Sequence, residues 1–583
     1  MKTLLLLISL APCLVHAELT VPHFFSDHMV LQRERAVAIW GKANALAEVK
    51  VEFKGKSAQT KADADGKWRV QLETGAADAK GATMLIQSGA EKKEIADVLV
   101  GEVWFASGQS NMSYQMKGSP QYADLTKKST HPNLRMFDAP RVTAVHAQDD
   151  IAGKWAAATP ETVPNFSAVA FFFARKLHFD LDIPIGVINS SWGGKPVETF
   201  TSREALNTLP GTKALVDATL KADANYDEKK AQKVYLTQLK KWQEMTQQAA
   251  KKPANQRGII APRPMPPKRP LDLEGKPGVL FNAMIHPFIG YTMRGAIWYQ
   301  GEGNANANAV PYDLTLPLMI NDWRKRWNDE FSFYYVQLAN FQQPSTAPGT
   351  AHPWPLLQDR MRLVLATTPK TGMAIINDVG AANDIHPKNK KDPGERLALW
   401  ALAKDYGKDI TYSGPLYQSN EIKGDAIRVT FAQSGTGLKS RDGSQLKRFE
   451  IAGADQKWHW AEAKIDGKDS VLVRSADVNQ PVAVRYAWAA NPECSNLVNS
   501  EGLPTSVFRT DDWADALKAQ AQTQASPAPS KALADRRAVG AEIRSLNAKR
   551  KALKPNSQEH KVLTQKINAL MKQFNAMSPA KSR

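Results

Sequence analysis

Cysteine is almost missing: two occur in 583 residues, Cys13 and Cys494. Cys13 falls in a segment read here as a cleaved leader. That excludes an intramolecular disulfide in the mature chain, which must hold together by core burial alone. Cys494 is expected to be a buried small hydrophobe. Long apolar runs are missing too. The run Leu4–Leu10 is too short to span a bilayer, and no later stretch qualifies as a transmembrane helix. With Lys2 ahead of it and Val15-His16-Ala17 behind it, this run reads as a secretory leader over residues 1–17. Pro12 argues against a lipoprotein box at Cys13. An exported protein starting near Glu18, periplasmic or secreted, is the expectation. No Cys/His cluster and no His-Glu-x-x-His pattern occurs, so no metal and no cofactor are expected. The Gly-x-Ser-x-Gly elbow of the common α/β-hydrolases is absent, and so is any solenoid repeat.

What is present is a soluble, globular composition, 43% hydrophobic and 23% charged. The length predicts three to five modules. The net charge of +18 is unevenly spread, because residues 514–583 hold 14 Lys/Arg against 4 Asp/Glu. The basic excess is thus largely an appendage, which argues against a nucleic-acid-binding body.

Residues 18–98 read as a β-sandwich module, with strand formers in "AVAIWG", "EVKVEF" and "KWRVQL" and a hairpin signal at Asp65-Gly66. From 99 to 205 the pattern turns to α/β. "VWFAS" is a buried strand, "FSAVAFFFARKLHFDL" an amphipathic helix, and "PIGVINSSWGG" a strand ending in a glycine turn. Residues 206–275 form an insertion. It has a helix with Tyr235, Leu239, Trp242 and Met245 on one face, then a proline-rich stretch. The α/β pattern resumes over 276–410, ending in a helix over "PGERLALWALAKDYG". A second β module follows over 411–513, with a turn at Asp466-Gly467. The last segment, 514–583, is a linker ("ASPAPSK") and a basic helical hairpin. Its stripes are Val539, Ile543, Leu546, Leu553 and then Leu563, Ile567, Leu570, Phe574, Met577, with an N-cap at Asn556. This tail is either a solvated appendage or a surface that contacts an anionic layer or self-associates.

Four stretches carry possible chemistry. In "GEVWFASGQSNMSYQM" (101–116) a strand stops at Ser107-Gly108-Gln109-Ser110-Asn111. Ser110 at a strand exit is either a capping turn residue or a nucleophile. In "NDIHPKN", Asp384 is placed to hold the imidazole of His386 and leave its Nε2 free; the alternative is a loop histidine with a capping aspartate. "NSSWGG" (189–194) and "WYQGEGN" (298–304) each follow a strand and end in glycine. Gly193 or Gly194 offers a backbone N–H and Gln300 a side-chain donor to an oxyanion, while Glu302 adds a carboxylate. Ligands of open parallel sheets bind at the carboxyl ends of strands, so all four stretches are expected at one edge. Trp192, Trp298, Tyr299 and Trp354 are either core residues or platforms for a sugar ring.

In this order, Gly108-Gln109-Ser110-Asn111-Met112, Ser191-Trp192-Gly193-Gly194, Trp298-Tyr299-Gln300-Gly301-Glu302 and Asp384-Ile385-His386-Pro387 resemble the sialate O-acetylesterase family. That family belongs to the SGNH (GDSL-like) hydrolases. The resemblance runs from "FSDHMVLQRERAVAIWG" to "NLVNSEGLPTSVFRTDDW" and leaves out only the tail. It implies a three-layer α/β/α catalytic domain with flanking β-sandwich modules. It implies Ser110 as nucleophile, His386 as general base and acid, and Asp384 as its orienter. The Ser110 N–H, Gly194 (or Gly193) and Gln300 would form the oxyanion hole, with Asn111 and Glu302 as accessory residues. The usual SGNH Gly-x-Asn-Asp block is replaced here by Gln300-Gly301-Glu302, which leaves Glu302 either a second orienter of His386 or a wall of the pocket. The implied activity is removal of O-acetyl groups from sugars through an acetyl-enzyme, without metal or cofactor. The alternatives are an acetylxylan or other glycan O-acetylesterase, and a non-catalytic carbohydrate-binding protein on the same fold.

Overall fold

The structure, a computed structural model, describes residues 18–251, 261–306, 309–513, 542, 546, 549–550 and 557–576. The expected leader and linker lie outside the described residues. The chain divides into two compact units, one of residues 1–226 and 268–514, the other of 227–267 and 515–583.

The first unit begins with short strands: β1 (Val30–Gln32), β2 (Ala36–Lys42), β3 (Glu48–Phe53), β4 (Lys56–Lys61), β5 (Lys67–Glu73) and β6 (Asp78–Ser88). Period-two patterning buries Val49, Val51 and Phe53 of β3 and Trp68, Val70 and Leu72 of β5 in one apolar core. The Asp65-Gly66 turn forms, with Gly66 at φ +76° and Asp63 Oδ1 accepting from Lys67 N at 2.8 Å. It does not close a hairpin, because β4 pairs with β3 and β5 with β2. By contrast, the Asp466-Gly467 turn does join two paired antiparallel strands, Glu462–Ile465 and Ser470–Arg474. The turn residues dictate the bend; which neighbours pair is decided by the layers they enter.

Strand β7 (Glu91–Gly108) runs 18 residues, straight through the expected module boundary at 98. Its first part pairs antiparallel with β6 and its middle with β1. Its last part is the centre of the main sheet. Glu102 marks the joint, fully buried, with Arg33 Nε at 2.6 Å and Arg294 Nε at 2.8 Å from its carboxylate. Burial opposes its ionisation, but Arg294 and Arg33 outweigh this and hold the carboxyl below its ordinary range.

The remaining strands of this sheet are β8 (His131–Asp138), β9 (Trp155–Ala158), β10 (Ile185–Ser191), β11 (Gly295–Tyr299), β12 (Ser332–Val336) and β13 (Thr371–Ala374). The order is β13-β12-β11-β7-β10-β8-β9, parallel except for β9. The helices of this unit are α1 (Ala123–Lys127), α2 (Ala168–Leu181), α3 (Arg203–Leu206) and α4 (Pro210–Ala224), and, after α5 (Glu228–Ala250) of the second unit, α6 (Tyr312–Trp327), α7 (Pro353–Thr367) and α8 (Lys391–Lys404). Alternate strand residues face opposite helices. Trp104 packs edge-on against Phe173 of α2, and Tyr334 lies near Trp400 of α8. Phe105, Trp298 and Phe333 all meet Trp323 of α6. Both faces of the sheet are therefore covered, which is why its strands are apolar runs rather than alternating ones. α2 starts where Ser167 Oγ accepts from Ala170 N at 3.2 Å, and ends at Asp182 in the left-handed region.

Residues 411–513 form antiparallel strands, including Ala426–Ala432, Phe449–Gly453 and Ser470–Arg474. This module braces loops of the main sheet. Asn377 Nδ2 donates to Thr505 O at 2.9 Å and Phe341 N to Ala490 O at 2.8 Å. Cys494 is exposed, at a turn with φ +66°, and is not the buried hydrophobe expected.

In the second unit, α5 (Glu228–Ala250) is capped by Asp227, which accepts from Lys230 N at 2.9 Å. Tyr235, Leu239 and Trp242 are only half-buried and Met245 is exposed. The helix Gln558–Ala576 is capped by Ser557 Oγ, which accepts from His560 N at 3.2 Å; Asn556 lies outside the described residues. Its Ile567 is buried, as is Leu546, and Lys566 pairs with Glu542 at 3.1 Å. Most of the first predicted tail stripe lies outside the described residues. Among the described residues, no helix is long and apolar enough to cross a membrane.

Candidate active site

Parallel pairing sets the site. Gly108, the last residue of β7, is opposite Ser191 of β10 and Tyr299 of β11. The Gln109-Ser110-Asn111, Trp192-Gly193-Gly194 and Gln300-Gly301-Glu302 segments therefore leave the sheet side by side at its carboxyl edge. Gly108 sits at φ +133°. Gln109 N donates to Tyr299 O at 2.9 Å and Trp192 N to Gly108 O at 3.0 Å, so the turn is pinned from both sides.

Ser110 is half-buried on this turn. Gly193 lies directly against it: a Cβ at position 193 would come within 3.0 Å of Ser110 Cβ. At Gly194 the space is open and φ is +71°. The loop after β13 brings in the histidine. Asn111 Nδ2 donates to Ile385 O at 3.1 Å, joining the residue after Ser110 to the residue before His386. The rings of His386 and Tyr114 are nearly parallel at 6.4 Å.

Asp384 Oδ1 accepts from His386 N at 2.9 Å but lies 3.7 Å from Nδ1, beyond hydrogen-bond range. Its Oδ2 is 3.1 Å from Lys388 Nζ. Burial opposes ionisation of Asp384, and the His386 N–H and Lys388 outweigh it to hold the carboxyl low. Burial lowers the pKa of His386; the Lys390 and Lys388 charges lower it further, and Asp384 offsets them only in part. The imidazole is thus kept neutral, as a proton acceptor requires.

Gln300 is fully buried, and its Nε2 faces Asn304 Oδ1 at 2.8 Å, Gln109 Oε1 at 3.2 Å and Lys195 O at 3.2 Å. Its Oε1 accepts from the Tyr312 hydroxyl at 2.6 Å. Its donors are engaged in bracing the turn. Glu302 is half-buried; Oε1 accepts from Asn111 Nδ2 at 2.5 Å, and the buried Oε2 has no partner among the described residues. Burial raises its pKa. It reaches the histidine loop through Asn111.

Three aromatic assignments are corrected. Trp298 and Tyr299 are 0% exposed, so neither is a platform for a sugar ring. Both faces of β11 are covered, and Trp298 Nε1 donates inward to Tyr312 at 3.1 Å. Trp354 is buried likewise, donating to Ala339 O at 2.9 Å. Trp192 is half-buried, with Lys195 Nζ 5.3 Å from its ring centroid. A cavity of about 1040 Å³ lies elsewhere, lined by His23, Trp40, Trp68 and Arg69, and it includes none of Ser110, Gly193 or His386. Among the described residues, no group of three or more His, Cys, Asp or Glu side chains is arranged to hold a metal.

The site also contains residues that sequence reasoning missed. Gln109 Oε1 accepts from Gln300 and, at 3.2 Å, from Gly303 N. Lys390 is fully buried and donates to Asn111 Oδ1. Nothing in "HPKNKKDPGE" separates Lys390 from its neighbours Lys388 and Lys391.

A covered parallel sheet with a serine turn, a glycine turn and a histidine loop at one edge defines an esterase. No family model matches the chain. A solved carbohydrate acetylesterase from Xanthomonas citri is 35% identical, with a TM-score of 0.71, covering 85% of this chain and all of that one. Sialate O-acetylesterases of Rattus norvegicus and Homo sapiens are each 28% identical over 83% of this chain and 93% and 91% of their own. The chain belongs to the carbohydrate acetylesterases and is a homologue of the sialate O-acetylesterases.

Proposed function

We propose that the protein removes O-acetyl groups from sugars, with an acetylated sialic acid as its substrate, on an SGNH-type three-layer catalytic domain. The single observation that carries this is the register placing Gly108, Ser191 and Tyr299 at one level, with Asn111 bonded to the histidine loop. Ser110 Oγ attacks the acetyl carbonyl while His386 Nε2 takes its proton. The oxyanion is met by backbone N–H groups of Ser110 and of Gly193 or Gly194. His386 then protonates the departing sugar oxygen. Water, deprotonated by His386, cleaves the acetyl-Ser110 ester and releases acetate. Asp384 supports the imidazole from its backbone side. Gln300 is better read as a brace of the turn than as an oxyanion donor, because its amide is already engaged.

The test is acetate release from 4-nitrophenyl acetate, 9-O-acetylated sialic acid and acetylated xylan offered in parallel. Preference for the sialate supports the reading. Preference for xylan moves the enzyme to another glycan. Folded protein silent on all three defeats it and leaves a carbohydrate-binding protein.

Two outcomes follow from the geometry. The acid limb of kcat/KM is expected to have its midpoint below the ordinary histidine pKa of about 6.5, because the His386 pKa is lowered and its basic form persists to lower pH. A pH–rate profile checks this. Gly193→Ala is expected to lower kcat roughly 100-fold by displacing Ser110. Gly194→Ala meets open space and is expected to cost about 1 kcal/mol of stability from its left-handed backbone, with kcat within about threefold of wild type; single-turnover acetylation and thermal melts separate the two.

A further inference from the structure

Lys390 is the fully buried residue immediately before α8. A buried ammonium is costly unless its charge and hydrogen-bonding capacity are met. Here one of its protons is taken by the residue that follows the candidate nucleophile. Lys390 Nζ donates to Asn111 Oδ1 and lies 4.7 Å from the Tyr114 ring centroid and 5.7 Å from that of Tyr299. The other end of the same amide serves the opposite charge: Asn111 Nδ2 donates to Glu302 Oε1 at 2.5 Å and to Ile385 O at 3.1 Å.

Cation and anion thus hold one amide between them. Flipping Asn111 would turn donors toward the ammonium and an acceptor toward the carboxylate, so the two charges select one orientation. In that orientation the second Nδ2 proton is left for Ile385 O, directly before His386. Tyr114 adds a second link, sharing its ring between Lys390 and His386.

We propose that Lys390 is a positioning residue for deacetylation: with Glu302 as counter-charge, it fixes Asn111 so that the His386 loop is held on the Ser110 turn. This rests on Ser110 and His386 being the reacting pair. The groups facing His386 are Asp384 and Lys388 on its own loop, Lys390 ahead of α8 and Tyr114 after the serine turn; Glu302, after β11, faces Lys390. Burial draws the Lys390 ammonium down to about 7, and the Glu302 carboxylate works against that fall.

The experiment compares wild type, Lys390→Met, Lys390→Arg, Asn111→Ala and Ser110→Ala, with folding checked by melting. On 4-nitrophenyl acetate, Lys390→Met is expected to lower kcat roughly 10- to 100-fold with KM within about threefold. Its acid limb is expected to move up by about half a unit to one unit, because a positive charge near the imidazole has gone. Lys390→Arg restores the charge and is expected to return the limb toward wild type. Asn111→Ala keeps the charge but cuts the tether, so kcat falls while the limb stays. A Lys390→Met enzyme with the wild-type limb and kcat overturns the proposal, as does one whose activity falls only with its folded fraction. If Lys390→Met does not fold, Asn111→Ala decides, and wild-type kcat there overturns it. Ser110→Ala separates the two levels: full activity in that variant removes the underlying reading, whereas loss of activity leaves the Lys390 result to stand or fall alone.

Discussion

Ser110→Ala is expected to reduce acetate release by roughly 10,000- to 1,000,000-fold, with the melting temperature unchanged to within about 2 °C. The kinetic loss is large because an alkyl side chain cannot form the acyl-enzyme, and water must attack without an activated nucleophile. The small stability effect follows from the site. Ser110 is half-buried, and its turn is held by backbone bonds from Gln109 and Trp192 rather than by its hydroxyl. Substrate binding should survive, so the variant should still retain acetylated sugar. Steady-state acetate release and a thermal melt on the same preparation check both halves. Activity within tenfold of wild type would remove Ser110 as nucleophile and turn attention to the other groups at this edge.

Gly108→Ala should act in the opposite way, on the fold before the chemistry. A Cβ at 108 would lie 2.2 Å from Tyr299 O and 2.9 Å from Tyr299 N. Those atoms belong to the neighbouring central strand, so nothing flexible can yield. The φ of +133° adds strain of its own. A loss of about 4 kcal/mol or more is expected, seen as a much lower denaturation midpoint or as insoluble protein. Gly424→Ala is the comparison. It also has positive φ, +65°, but meets nothing within 4 Å, so it should cost only about 1 kcal/mol. If the two variants melt together, the close approach of β7 and β11 at the site is wrong.

Much of the site was legible because its signals are local. A strand former run ending in a small-residue turn marks each of Ser110, Gly193 and Gln300 as a strand exit, and parallel sheets place such exits at one edge. The helix over 168–181 was legible from its apolar spacing, and the structure adds its Ser167 cap. The failures are equally specific. Trp298 and Tyr299 beside two glycines looked available to a sugar, yet helices cover both faces of β11. The Asp65-Gly66 turn looked like a hairpin, yet its two strands enter different sheets.

Residue type and short spacing alone set the cysteine-poor composition, the alternation of β and α/β segments, and the three strand-exit motifs. These act within a turn or a strand. Tertiary structure decided which of three neighbouring lysines is buried, which carboxylate meets Asn111, and that the His386 loop is tied to the residue after Ser110. Asn111 alone bonds to residues 191, 274 and 279 positions away. Bonds of that separation exist only once the sheet has set the register of its strands, because the burial that makes a charge or an amide choose its partner is created by the packing itself.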